Sequence, residues 1–217
     1  MESCWSCGAE LITSIRLCDA CRSLQPVPPG LDHYAALELP RTFQLPLEVL
    51  EAAFKRISRQ IHPDRFSTAS DRERRYALEH STAVNDAWRT LRVPIKRAEY
   101  LLGLWGRPVN EVSGRTIPLP MAFLEQVMEL REQLSDAKAT RDRDALTRLS
   151  RTIHDAWMKH YAQVSALFNQ QEALLSAGPE TALAADRLDS LHIQVLELRY
   201  LHALLNEEGV SPLGEST

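Results

Sequence analysis

Four cysteines fall within the first 21 residues, as Cys4-Trp5-Ser6-Cys7-Gly8 and Cys18-Asp19-Ala20-Cys21. Two C-x-x-C pairs ten residues apart can offer four thiolates to one ion, and Gly8 permits a tight knuckle after the first pair. A closed all-thiolate set suits tetrahedral Zn²⁺ in a structural role, since nothing suggests an open ligand position. Iron in a site of similar geometry, two disulfides and redox-active pairs are the alternatives. A segment this short has no core of its own, so a metal would supply most of its folding free energy. Met1-Glu2-Ser3-Cys4 has neither the charged nor the apolar region of a secretion signal. A reducing compartment is therefore expected, which disfavours disulfides.

The second chemical group is His62-Pro63-Asp64. Apolar residues at 47, 50, 54, 57 and 61 predict an amphipathic helix leading up to it. Pro63 ends that helix and pushes His62 out of the α region. Lys55, Arg56 and Arg59 lie opposite the apolar stripe, and no acidic residue occurs between 52 and 63, so this face can steer and dock an acidic surface. Tyr76, His80, Val84, Ala87, Trp88 and Leu91 trace the next helix, which makes a hairpin. A short helix ending before Pro40 precedes the pair, with Tyr34 and Leu37 facing the hairpin, and Pro94–Leu102 forms another short helix closing at Gly103 and Gly106. The proline-rich stretch Gln25–Gly30 reads as a stiff connector from the cysteine segment.

A loop with Gly106, Pro108, Gly114, Pro118 and Pro120 leads into three helices, near 120–137, 142–176 and 180–206, with Gly178-Pro179 between the last two. Short connections and continuous apolar stripes predict a three-helix bundle. Phe123, Val127, Leu130 and Leu134 make the first core stripe; Leu146, Leu149, Ile153, Trp157, His160, Val164 and Leu167 the second; Ala184, Leu188, Leu191, Val195 and Leu198 the third. Met121, Leu124 and Met128 fall off the first stripe, bordered by Glu125, Glu129 and Glu132. Either the long second helix covers them or they form an adaptable apolar strip with an acidic rim, suited to a protein partner.

A His-Pro-Asp tip at the end of a basic amphipathic helix resembles a J-domain, the module that triggers ATP hydrolysis in DnaK-type chaperones. The chain lacks the Gly/Phe-rich linker and repeated cysteine modules of DnaJ itself. Pro94–Leu102, the upstream Asn85-Asp86-Ala87-Trp88-Arg89-Thr90-Leu91 and Phe123–Leu134 are similar to HscB, the J-protein family of iron–sulfur cluster biogenesis. The cysteine segment matches the longer form of that family. The likeness spans 4–21 and 33–135 by motif, and 140–217 by helical pattern.

The resemblance implies a mainly all-α protein. Its parts would be a tetracysteine metal knuckle at 1–25, a J-domain at 31–107 and a C-terminal scaffold and oligomerisation bundle at 118–207. It implies that His62, Pro63 and Asp64 are the functional tip, with Lys55, Arg56 and Arg59 the docking face for a DnaK/HscA-type ATPase. Leu124, Met128, Glu129 and Glu132 would receive an IscU-type scaffold. Cys4, Cys7, Cys18 and Cys21 would hold zinc or iron. A co-chaperone, not an enzyme, is expected, in a bacterial cytoplasm or a mitochondrial matrix, with a homodimer allowed.

Composition agrees. Apolar residues make up 44% of the 217, and no run approaches the roughly 20 needed to span a bilayer. The net charge of −4 divides unevenly: residues 31–107 hold 13 basic against 10 acidic side chains, and 119–217 hold 9 against 15. Neither part has the basic stripe that a phosphate backbone requires, so nucleic acid is not expected as a partner. A zinc-ribbon adaptor with a helical dimerisation module would explain the cysteines but not the His-Pro-Asp helix.

Overall fold

The computed structural model describes residues 3–11, 16–109, 118–178 and 185–207. Met1, Glu2, Gly114, Pro179 and Ala184, named above, lie outside them. The described elements are α1 (His33–Ala36), α2 (Leu47–Ile61), a 3₁₀ turn (Pro63–Phe66), α3 (Asp71–Leu91), α4 (Pro94–Leu104), α5 (Met121–Thr140), α6 (Arg143–Ala177) and α7 (Ala185–Glu207). Isolated antiparallel bridges, Ser3 with Glu10 and Leu17 with Leu24, mark the cysteine segment. The chain divides into two compact units: residues 1–41 with 45–96, and residues 42–44 with 97–217.

In the first unit α2 and α3 pack against each other, α2 burying Leu50, Ala53, Ile57 and Ile61, and α3 burying Ala77, His80, Val84, Ala87 and Leu91. Phe54 stacks on Trp88 with ring centres 4.9 Å apart. Leu47 opens the predicted stripe but is 38% exposed, because the first turn of α2 runs past the end of that core. Ser70 begins α3 with a reciprocal capping box to Glu73, satisfying donors that the helix start leaves free. Tyr34 and Leu37 are fully buried, as their spacing predicts, although α1 itself is only four residues long.

In the second unit, α5, α6 and α7 form the three-helix bundle. Phe123, Val127, Leu130 and Leu134 are buried on α5. Ile153, Trp157, Val164, Phe168 and Gln171 are buried on α6, while Leu146, Leu149, His160 and Leu167 are half-buried. The buried set thus moves from Leu167 to Phe168, since a 3.6-residue repeat drifts along a 35-residue helix. Phe43 belongs to this unit: it is fully buried, stacks on Phe168 at 4.5 Å and lies under the Arg97 guanidinium. Its amide donates to Glu172 at 2.7 Å.

Charged groups are enclosed as well. Glu197 of α7 is 6% exposed and faces His160 Nδ1 at 3.5 Å, with Gln194 donating to it. Burial holds His33, His80, His160, His192 and His202 below the ordinary histidine range. The unfolded chain therefore binds more protons than the folded one below about pH 6.5, so this stability is present above that pH and lost as pH falls. Burial raises Glu197, whose contribution has the opposite sign and is lost as pH rises. Five groups against one predict a thermal midpoint roughly 5 °C lower at pH 5.5 than at pH 7.5, read by scanning calorimetry. An unchanged or higher midpoint at pH 5.5 would show that these imidazoles titrate freely.

Candidate functional site

The tip is built by backbone geometry. α2 ends at Ile61, the next residue His62 is extended (φ −55°, ψ 128°), and Pro63 opens the 3₁₀ turn with its fixed φ. The Asp64 amide donates to His62 Nδ1 at 3.4 Å, and Ser67 Oγ donates to the Asp64 carbonyl at 2.9 Å. These local bonds leave the side chains outward: His62 is 58% and the Asp64 carboxylate 90% exposed, 3.5 Å apart.

Lys55, Arg56 and Arg59 are all exposed on α2. Their face is less purely basic than the helix alone suggests. Lys55 pairs with Glu51 at 2.7 Å, and Arg56 with Glu38 at 2.5 Å. Arg59 Nε donates to the Lys55 carbonyl. Glu51 was readable at i−4 from Lys55; Glu38 was not, being 18 residues away.

The four cysteine sulfurs lie within 4.8 Å of one another, with Cys4–Cys21 and Cys7–Cys18 each at 3.7 Å. Four sulfurs set tetrahedrally about 2.3 Å from a common ion would stand ~3.8 Å apart, so the donor set fits a metal. Two equivalent turns create it. The Gly8 amide donates to the Cys4 carbonyl, and the Arg22 amide to the Cys18 carbonyl, both at 2.9 Å. Both Gly8 (φ 75°) and Arg22 (φ 61°) adopt left-handed backbone.

Ser23 and Gln25 surround the sulfurs. Ser23 Oγ stands 3.3 Å from Cys4 Sγ and 3.0 Å from Cys21 Sγ, and Gln25 Nε2 donates to Cys4 Sγ at 3.3 Å. Burial pushes the Cys4 thiol up, but the Ser23 hydroxyl and the Cys7 and Ser6 amides outweigh this and bring it down to about 5. The Ala9 amide favours the Cys7 thiolate, yet Cys21 and the other crowded thiols push it up to about 12. The Ser23 hydroxyl and amide lower Cys21. Four negative sulfurs cannot coexist here without a cation among them.

The knuckles pack on α3 within the same unit, despite the proline-rich connector, because Trp5 and Leu24 carry large apolar surfaces that seek burial. Trp5 meets Tyr76 edge-on at 6.1 Å, lies beside the Arg72 guanidinium at 4.9 Å, and donates its indole N–H to the Leu24 carbonyl. His80 Nε2 bonds the Gln25 carbonyl at 3.0 Å. In the sequence Trp5, an aromatic between two metal-type cysteines, is the one signal of this docking, while His80 reads as part of the α3 stripe.

On α5, Met121 and Met128 are 69% and 63% exposed, and Leu124 is half-buried. The long helix α6 therefore leaves both methionines uncovered. Glu125, Glu129 and Glu132 are exposed beside them. Phe123 points the other way, edge-on to His160 and Tyr200.

Residues 119–207 match the family model of the HSCB C-terminal oligomerisation domain. A co-chaperone protein HscB homolog of Ralstonia nicotianae is 38% identical over 159 residues, which cover 73% of this chain and 85% of that protein. The iron–sulfur cluster co-chaperone protein HscB of Mus musculus is 31% identical over 170 residues, covering 77% and 70%. The crystal structure of human co-chaperone protein HscB superposes with a TM-score of 0.77 at 25% identity, over 96% of this chain and 97% of that one. By sequence along most of its length, and by fold, this chain belongs to the HscB co-chaperone family.

Proposed function

We propose that this protein is the co-chaperone that couples an iron–sulfur scaffold protein to the ATPase of a DnaK/HscA-type chaperone. The observation that carries the reading is the outward His62–Asp64 tip at the end of a helix bearing Lys55, Arg56 and Arg59. An exposed carboxylate on a rigid turn can take a bidentate arginine of the partner. The hydrolytic chemistry belongs to the partner's nucleotide site, and this chain acts by binding. In this reading residues 31–107 serve the chaperone, and residues 118–207 serve the scaffold and any self-association. The compartment would be a bacterial cytoplasm or a mitochondrial matrix, in keeping with bacterial and mouse relatives. No described helix is long and apolar enough to cross a membrane.

In this reading Leu124 and Met128, with Glu129 and Glu132, would form the surface for the scaffold. Holding scaffold and chaperone on one chain raises their effective concentration. Replacing Leu124 and Met128 together by Ala is expected to weaken binding of an IscU-type scaffold about 30-fold by titration calorimetry, with the fold intact by circular dichroism. Wild-type affinity in that variant would move the scaffold surface elsewhere.

Cys4, Cys7, Cys18 and Cys21 would hold Zn²⁺, with Ser23 and Gln25 orienting the sulfurs. The ion would supply a redox-inert cross-link between the two knuckles.

The deciding experiment is steady-state ATP hydrolysis by a DnaK-type chaperone against increasing concentrations of this protein, with and without the scaffold. Saturable stimulation that the scaffold amplifies is expected. No stimulation, with a chaperone that responds to another J-protein, would overturn the reading.

A further inference from the structure

Arg16 stands two residues before Cys18 and is almost wholly buried, 1% exposed. Its carbonyl accepts the Gln25 amide at 2.7 Å, which closes the second knuckle beside the Leu17–Leu24 bridge. Its guanidinium reaches out of the cysteine segment altogether. One nitrogen donates to the Ala36 carbonyl at the end of α1, and the other pairs with Glu38 Oε1. The second Glu38 oxygen, Oε2, accepts Arg56 at 2.5 Å. A single carboxylate thus joins a guanidinium anchored between the cysteines to one on the basic face of α2.

Two further features make this bridge directional. Glu38 holds left-handed backbone (φ 54°), a conformation that a residue with a β-carbon keeps only where its surroundings demand it. Arg16 is buried, so its pairing with Glu38 is shielded from water and costly to break. Arg56 and Glu38 are exposed (47% and 39%), so their own pair would be loose without the buried end. The order of the bridge therefore comes from the cysteine side.

We propose that the four-thiolate site positions Arg56 on the chaperone-facing helix through Arg16 and Glu38, making the docking face sensitive to metal. This rests on the reading of α2 as the helix that meets the chaperone. With the metal in place the knuckle holds Arg16, Arg16 holds Glu38, and Glu38 fixes Arg56 before the partner arrives. Loss of the metal releases the knuckle, and Arg56 must then be ordered on docking, which weakens binding without touching the tip. Arg16 and Glu38 are positioning residues.

The test uses the full chain loaded with zinc, zinc-free after chelation, and loaded Glu38→Gln and Arg16→Met variants. The first readout needs no chaperone: the ¹⁵N-resolved Nε–H signal of Arg56, assigned with Arg56→Lys. It should be distinct in the loaded protein and merge with those of freely exposed arginines on chelation and in both variants. The second is the concentration giving half-maximal chaperone stimulation, expected to rise about fivefold in the same three samples with the maximum unchanged. Chelation of Glu38→Gln should raise it no further; an equal additional rise would overturn the relay. An Arg56 signal unmoved by chelation would overturn it too. Should zinc removal unfold the first unit, the two loaded variants decide: an Arg56 signal like wild type in both overturns the proposal. Absence of any stimulation would instead count against the co-chaperone reading, and the Arg56 signal would still decide the relay.

Discussion

An Asp64→Asn protein should stimulate a DnaK-type chaperone at least about 30-fold less effectively than wild type, with no loss of stability. The side chain is 90% exposed, and His62 Nδ1 lies 3.5 Å from it. The turn is held by the Asp64 amide and carbonyl, which Asn supplies equally well. Stability should stay within ~0.5 kcal/mol, as for a surface substitution. Docking loses the charge of a carboxylate that would meet an arginine, and removing one partner of such a pair costs about 2–5 kcal/mol. The contrast between unchanged unfolding and lost stimulation is the discriminating result. Full stimulation by Asp64→Asn would reduce the tip to a helix-ending turn.

Trp157→Ala should destabilise the C-terminal unit by about 4 kcal/mol, measured by urea unfolding followed through helical ellipticity. Trp157 is 1% exposed in the middle of α6 and stacks on Tyr161 with ring centres 5.1 Å apart. Tyr161 in turn lies against Phe43, and Phe43 against Phe168, so the cavity would open beneath a continuous aromatic cluster that cannot collapse readily. The indole Nε1 is buried and has no hydrogen-bond partner among the described residues. Trp157→Phe removes that unsatisfied donor while keeping a ring, and should cost less than half as much. Equal losses in the two variants would show that filled volume does not set the cost.

What could be read from the chain divides by distance along it. The α2–α3 hairpin and the α5 stripe were legible because their apolar residues repeat at helical spacing. The thiolate cluster was legible because each C-x-x-C half is local, and two halves can meet only around a shared centre. The wheel set Met121 and Met128 off the stripe that buries Phe123 and Val127 but left open whether α6 covers them, which their exposure answers. Glu38 escaped because its partners Arg16 and Arg56 lie 22 and 18 residues away, and no periodicity links them. The His160–Glu197 pair escaped because α7 is apolar on nearly every side, so its buried acid has no polar face to betray it. Phe43 sits in a connection, where helical periodicity has nothing to say.

Phe43 also limits how the molecule can be divided for study. Thr42–Gln44 lies in sequence between α1 and α2 yet packs as part of the C-terminal unit. A recombinant fragment ending near residue 96 would carry the Phe43 ring into water, stripped of Phe168, Tyr161 and Arg97. The complementary fragment would be left with a vacant aromatic slot and Glu172 without the Phe43 amide and Thr42 hydroxyl. Aggregation of either piece would then report a severed core, not a failure of the excised region to fold. Chimeras between relatives face the same constraint: grafting the N-terminal region means transplanting the residues around Phe43 with it.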